Sequence, residues 1–377
     1  MRFVRDELLR RMPGAEVVGV FKPSLNAPRP LRDVLRLPWL LATSGTIVVD
    51  DFYPIIYPLP IRRGARLVQI WHAAGAFKQV GHSRAGLPGG PVPGSNIHRN
   101  YTHVPVSSES VRKDYAEAFG IDVARVQALG VPRTDVFFDT EEVERTRRRV
   151  RSELGVSEDE RLVLYAPTFR GNGQLSARSE GSADWGAIAD SLGAGFRVAV
   201  RQHPFAAASA PPLPPHVLDG STSDMNDLLM ATDVLVTDYS SSIFEFALLR
   251  RPIVLFVPDL TEYAGSRSFY RPFSAYATGP VVEDPSELVG ALRDATVDPA
   301  ALTAFLEEFC GALDGRSTQR IVDRMLLSDS TRVDVDEETV APGSVEPTRV
   351  DGLMGLRVLA AHLTRIALSA VYAPLKP

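Results

Sequence analysis

Two histidines in this chain stand where apolar runs end: His72 closes RLVQIWH (66–72), and His203 lies in FRVAVRQHP (196–204), two residues after Arg201. An imidazole titrates near neutrality, so His72 has the properties of a general base, and His203 beside a cation suits hydrogen bonding or proton donation to a leaving phosphate. A third segment, TDYSSS (237–242), follows the run DVLVTD (233–238) and opens a helix-like stretch, SSSIFEFALLRRP (240–252). Thr237, Ser240, Ser241 and Ser242 offer hydroxyls there. A helix start adds unpaired N–H groups and partial positive charge, a setting for a diphosphate. One serine suffices as an N-cap, and three in succession exceed that need. Asp238 reads as structural, a carboxylate placed to accept backbone N–H groups. Arg170, after LVLYAPTF (162–169), contributes a further cation.

The first half offers thinner candidates. The residues after His72, AAGAFK (73–78), are small enough for a substrate to approach closely, and they lead to Lys78. GVPRTD (130–135) sets Arg133 and Asp135 at another strand end, while Gly130 and Pro132 need only a turn to explain them. Lys78, Arg133 and Asp135 are therefore candidates for the acceptor side. His72, His82, His98 and His103 match no zinc spacing and no HExxH occurs, so no metal is expected. The chain has neither GxxxxGK[ST] nor GxGxxG, which excludes the P-loop and the usual dinucleotide fingerprint.

In open parallel sheets, ligands bind beyond the carboxyl ends of strands, so these groups demand an α/β scaffold. Short apolar runs do alternate with helical patterns. Strands are expected at 15–20, 45–51, 66–72, 103–108 and 125–130 in the first half. In the second they are expected at 162–169, 196–204, 216–220, 233–238, 252–259 and 280–284. Helices are expected at 107–120, 140–155 and 223–233. In the 140–155 helix, glutamates near the start and arginines toward the end suit the helix dipole, so those arginines read as a solvated face. The pattern divides into two Rossmann-like units, 1–152 and 153–327. After them come an acidic, aperiodic linker at 328–350 and an amphipathic helix at 351–377, with Leu353, Leu356, Leu359, Leu363 and Ile366 on one face. That helix has two candidate destinations, the first domain and a bilayer interface; Met354, Val358 and Leu368, apolar on its polar face, and the basic first 40 residues favour the bilayer.

Net charge is −5 over 377 residues, which argues against a nucleic-acid binder held by bulk charge. Residues 1–40 nevertheless carry eight basic and four acidic groups, a surface suited to anionic lipid or simply a solvated face. The single cysteine, Cys310, permits no intrachain disulfide and fits a reducing compartment. No secretory signal and no apolar run of about 18 residues is visible, so a membrane-spanning helix is not expected.

Seven segments in order, IWHAAGAFKQVG, GVPRTDVFF, YAPTFR, RQHP, DMNDLLMATDVLVTDYSSSIFEFALLRRPIVLF, YATGPVVED and LDGRSTQRI, resemble the CDP-glycerol glycerophosphotransferases, which include teichoic-acid primases and polymerases. The resemblance covers roughly residues 40–325. It implies a GT-B fold, a CDP-linked polyol donor on the second domain, no cofactor, and transfer of glycerol phosphate or a related polyol phosphate with release of CMP. The acceptor would be lipid-linked or polymeric, which implies a peripheral enzyme on the cytoplasmic face of a bacterial membrane. By the same resemblance His72 is the catalytic base and His203 a second essential histidine. Arg170, Ser240, Ser241, Ser242 and Ser317 of the DGRS segment are donor contacts. Two alternatives share the fold: a GT-B enzyme acting on a nucleotide sugar, and a non-catalytic GT-B-like binding protein.

Overall fold

The computed structural model describes residues 1–21, 30–171, 176–179, 183–207 and 210–328. Apart from Ser328, the linker and amphipathic helix read at 328–350 and 351–377 lie outside the described residues.

The first domain runs α1 (Arg2–Arg11), α2 (Leu31–Thr43), β1 (Thr46–Val49), β2 (Arg66–Gln69), β3 (Val104–Pro105), α3 (Arg112–Phe119) and β4 (Val126–Gln127). β1 pairs with β2 and β3 with β4, all parallel, and a parallel bridge from Val68 to His103 joins the two pairs. β2 is buried along its whole length, as expected of a parallel strand covered on both faces. The strand expected at 15–20 is absent. Val17 and Val18 are 39% and 38% exposed and no neighbouring strand takes up their backbone hydrogen bonds. The short apolar run misled the reading because it lacks a pairing partner.

α4 (Thr140–Leu154) leads into the second domain. Its N-cap is Asp139, whose carboxylate accepts the Glu142 N–H, and Gly155 ends it in the left-handed region at φ 68°. The expectation of a solvated arginine face needs correction. Arg151 is only 5% exposed, and Arg147 and Arg151 converge on Asp233 at 2.5 and 2.8 Å. Their partner sits just before a strand of the second sheet, so the helix is bound there by charge as well as by its apolar face.

The second domain continues with β5 (Arg161–Tyr165), α5 (Trp185–Leu192), β6 (Phe196–Val200), β7 (Leu218–Asp219), α6 (Met225–Ala231) and β8 (Val234–Thr237). It then runs through α7 (Ser242–Leu248), β9 (Ile253–Phe256), α8 (Leu260–Ser266), β10 (Val281–Val282) and α9 (Leu288–Arg293) to α10 (Pro299–Cys310); α11 (Ser317–Ile321), expected within the 153–327 unit, packs instead on the first domain. The sheet is parallel throughout, in the order β10-β9-β8-β5-β6-β7. From β5 the chain winds outward through β6 and β7, then crosses back to β8 and winds the other way. The reversal leaves a crevice at the carboxyl ends of β5 and β8, the place where such sheets bind ligands.

The chain then returns to the first domain. Ile321, Val322 and Met325, all with 0% exposure, pack with Val4, Val68, Ile70 and Leu129. At about 1.5–3 kcal/mol per fully buried side chain, this apolar seam holds α11 and the helical turn after it against β2. Arg66 donates from Nη1 to the Leu326 carbonyl at 2.7 Å, capping that turn.

Candidate functional site

The crevice holds most of the groups singled out in the second half of the sequence. Arg201, His203, Ser240, Ser241 and Ser242 line an open cleft of about 170 Å³, with Arg133 arriving from the first domain. Arg201 and His203 follow β6; the serines follow β8. Strand order alone explains why residues 40 apart in sequence meet here.

His203 is half-buried among Phe169 and Phe205, with ring centroids at 4.8 and 5.1 Å. Its Nδ1 accepts the Phe205 N–H at 3.2 Å, which leaves Nε2 as the protonated nitrogen of the neutral ring. Burial, reinforced by the cations Lys78 and Arg201 and opposed by Asp238, pushes its pKa down to about 4. At neutral pH His203 is therefore an uncharged hydrogen-bond donor. Arg201 is also partly buried, and burial lowers its pKa. Among the described residues it makes no ion pair; its one hydrogen bond goes to the Ser223 carbonyl at 3.5 Å. A desolvated guanidinium without a carboxylate is a strong attractor for a phosphate.

The serine turn is ordered internally. Ser240 Oγ accepts from Ser242 Oγ at 2.9 Å, while Ser241 makes no side-chain capping bond. Beneath it Asp238 accepts the Thr168 N–H at 2.9 Å, its own neighbour Tyr239 N–H at 2.6 Å, and Arg170 Nη1 at 2.7 Å. Asp238 is thus structural, as read from the sequence.

Three donor-side expectations are displaced. Arg170 does not line the cleft: it pairs with Asp259 through Nε and Nη2 at 2.7 and 3.0 Å and with Asp238 through Nη1. Burial works against its charge, but the two carboxylates outweigh that and raise its pKa. It anchors the turn from below. Thr237 is fully buried and donates to the Ala166 carbonyl at 2.6 Å, tying β8 to the end of β5. Ser317 is also fully buried, away from the cleft against Gly130, where a Cβ would stand 2.1 Å from Ser317 Oγ. Gly130 is thus required by packing as well as by its φ of 93°.

On the first domain, His72 is half-exposed, its ring 4.4 Å from the Trp71 ring. It does not itself line the cleft, but Arg133 joins the two: Nη1 donates to the His72 carbonyl at 2.8 Å. Arg133 Nη2 lies 2.8 Å from a carboxylate oxygen of Glu245, which is completely buried on α7. Asp135, the other residue of that segment, caps α11 by accepting the Ser317 and Thr318 N–H groups at 2.9 and 2.8 Å. It fastens the returning C-terminal segment to the first domain and does not line the cleft. Lys78 pairs with Phe269 across a β-bridge, and its ammonium lies 3.4 Å from Tyr263 Oη. Its charge reaches His203 and helps lower that ring's pKa, although Lys78 itself does not line the cleft.

The small residues after His72 serve a different purpose from the one expected. A Cβ on Gly75 would come within 2.3 Å of Phe244 on α7. Tyr276 Oη donates to the Ala76 carbonyl at 2.8 Å, and Phe77 packs 4.2 Å from the Tyr276 ring. The small residues let the second domain pack closely against this loop. Glu245 and Asp259 were missed in the sequence. The signal for Glu245 was present, a lone carboxylate in the apolar stretch SIFEFAL.

Two parallel-sheet domains that meet at a crevice lined with cations and hydroxyls define a GT-B-type α/β protein. The structure of the wall teichoic acid polymerase TagF matches it with a TM-score of 0.71 over 85% of this chain and 84% of that one, at 21% identity. The chain belongs to the CDP-glycerol:poly(glycerophosphate) glycerophosphotransferase family, whose sequence profile matches residues 7–327. It is 41% identical over 331 residues to the teichoic acid poly(ribitol-phosphate) polymerase of Bacillus spizizenii, covering 86% of this chain and 53% of that protein. It is 38% identical to the ribitol-phosphate polymerase TarK of Staphylococcus aureus, covering 85% and 64%, and 34% identical to a ribitol-phosphate primase of B. spizizenii, covering 75% of each. The chain thus spans between about half and two-thirds of the two polymerases.

Proposed function

We propose that this protein transfers a polyol phosphate from a CDP-linked donor to a hydroxyl on a teichoic-acid-like polymer or its lipid-linked precursor, and that the polyol is ribitol. The observation that carries the reaction class is the meeting of Arg133, Arg201, neutral His203 and the Ser240–Ser242 turn at the sheet's switch point. This set suits a diphosphate. The polyol follows the relatives: the ribitol-phosphate enzymes are 34–41% identical, against 29% for a glycerol-phosphate primase.

In this reading His72 accepts the proton of the acceptor hydroxyl. The oxygen attacks the donor's β-phosphorus, a new P–O bond forms, and the bond from that phosphorus to the bridging oxygen breaks. CMP departs with that oxygen. Arg201, Arg133 and Lys78 offset the charge as it shifts to CMP, and His203 Nε2–H donates to a phosphate oxygen. No covalent enzyme intermediate is required, because phosphoryl transfer depends mainly on placement and charge. No cofactor or metal has a role in it. Incubation with CDP-ribitol, CDP-glycerol and a UDP-sugar, each with a polymer primer, tests the reading; consumption of the UDP-sugar alone would refute it.

A peripheral site at the inner face of the membrane follows from the same reading, and α2 supports it. Leu31, Leu35 and Trp39 lie one turn apart on one face and are 73%, 67% and 57% exposed, with Arg32 and Arg36 beside them. Such a face suits an anionic bilayer interface. No helix among the described residues is long and apolar enough to cross a membrane. Co-sedimentation with anionic liposomes, lost in a Leu35→Glu/Trp39→Glu variant, checks this.

A further inference from the structure

We propose that Asp51 is a positioning residue for His72, holding its imidazole by Nδ1 so that Nε2 faces the acceptor hydroxyl. The proposal rests on the reading of His72 as the base. Asp51 Oδ1 lies 3.5 Å from His72 Nδ1. An exposed pair at that distance would ordinarily count for little, but this one is held from several sides.

Gln69, at the end of β2 and with no solvent exposure, fixes both partners at once. Its Nε2 donates to the Asp51 carbonyl at 2.9 Å, and its Oε1 accepts the Trp71 N–H at 2.9 Å. The same Nε2 also donates to Tyr101 Oη at 2.9 Å, and Tyr101 Oη lies 2.9 Å from His98 Nδ1 in a buried aromatic cage. One amide therefore sets the chain just before His72 against the chain that carries Asp51. Trp71 takes φ 48°, a region that a residue with a bulky side chain adopts only when its surroundings impose it. The turn it makes swings His72 toward Asp51. The Asp51 carboxylate accepts the Phe52 N–H at 2.7 Å through the oxygen that faces His72, which fixes its rotamer. On the far side Arg133 holds the His72 carbonyl. A strained backbone and a buried amide that serve an otherwise ordinary surface pair point to a base whose ring orientation matters.

In this proposal the neutral ring is the Nδ1–H tautomer, its Nδ1 turned to Asp51 at 3.5 Å, and the Nε2 lone pair takes the proton. The test is Asp51→Ala in the full chain; Asp51 is exposed, so the substitution leaves the core intact. With CDP-ribitol and a polymer primer, kcat should fall about 10- to 100-fold, by analogy with the outer-shell carboxylates that orient metal-bound histidines. The donor KM and the affinity for CDP should stay within about twofold, because uniform binding is untouched. In 15N spectra of the imidazoles, His72 should shift from the Nδ1–H toward the Nε2–H tautomer, a readout independent of which donor is used. An unchanged tautomer, or a loss of CDP affinity that accounts for the lost turnover, would overturn the proposal. His72→Ala separates the two levels. If it turns over normally, the base reading itself fails; if it is inactive while Asp51→Ala is fully active, only the role of Asp51 fails.

Discussion

Arg133 of the first domain lies 2.8 Å from Glu245 of the second, and Glu245 is wholly buried. The same guanidinium donates to the His72 carbonyl and faces the cleft. One side chain therefore connects the proposed base, the domain interface and the donor site. Removing one partner of a fully buried ion pair costs about 3–5 kcal/mol; Arg133 is 36% exposed, so solvent screens the pair and that range is the ceiling. Arg133→Met should lower unfolding free energy in urea by about 1–3 kcal/mol, and Arg133→Met/Glu245→Gln should recover much of it. An Arg133→Met single variant as stable as wild type would show that the pair does not hold the interface.

Gly75 lies at φ 63°, and a Cβ there would meet the Phe244 ring. Backbone strain and overpacking together make Gly75→Ala costly, by about 2–4 kcal/mol. Reducing Phe244 in the same chain, as Gly75→Ala/Phe244→Leu, should recover part of the loss. Differential scanning calorimetry checks both; an unperturbed melting temperature in the single variant would contradict the docked loop.

His203 gives the free protein a defined pH dependence. Its folded pKa lies near 4, below the ordinary 6.5, and buried His98 is held near 3 by burial and by His82. The unfolded chain thus takes up protons below about pH 6.5 that the folded chain refuses, so stability is fully present above that value and falls toward pH 4. In His203→Gln the decline over this window should be shallower, with the His98 contribution remaining. Melting temperatures measured from pH 4 to 7.5 decide it; identical slopes in both proteins would remove His203 as a source.

Asp238 is committed to two N–H groups and Arg170, and the cations proposed to face the donor are side chains. Turnover should therefore persist in excess chelator. Strict recovery of activity by an added divalent ion would contradict the proposed charge balance.

Much of this was legible in the sequence because it depends on local pattern. Runs such as LVLY and DVLVTD announce parallel strands, and strand ends announce a ligand crevice. The positions of His203, Arg201 and the serine turn followed from that rule. What the sequence concealed was pairing between distant segments. Arg170 looked like a free cation because Asp259 lies 89 residues further on. Asp135 looked like a substrate contact because its partners, the N–H groups of Ser317 and Thr318, are 182 and 183 residues away. The alanines and glycine after His72 suggested room for a substrate, where the room is taken by Phe244 and Tyr276. Residues 15–20 carried strand-like composition without a neighbour to pair with, and pairing is decided only by the assembled sheet.

The nucleotide product tests the central claim most directly. Attack at the donor's β-phosphorus releases CMP and carries that phosphorus into the polymer. Attack at the polyol carbon, the pattern of a sugar transferase, would release CDP. With CDP-ribitol labelled at the β-phosphorus and a polymer primer, chromatography should show CMP formed in step with label entering the polymer. Release of labelled CDP, with unlabelled polymer growing, would contradict the account.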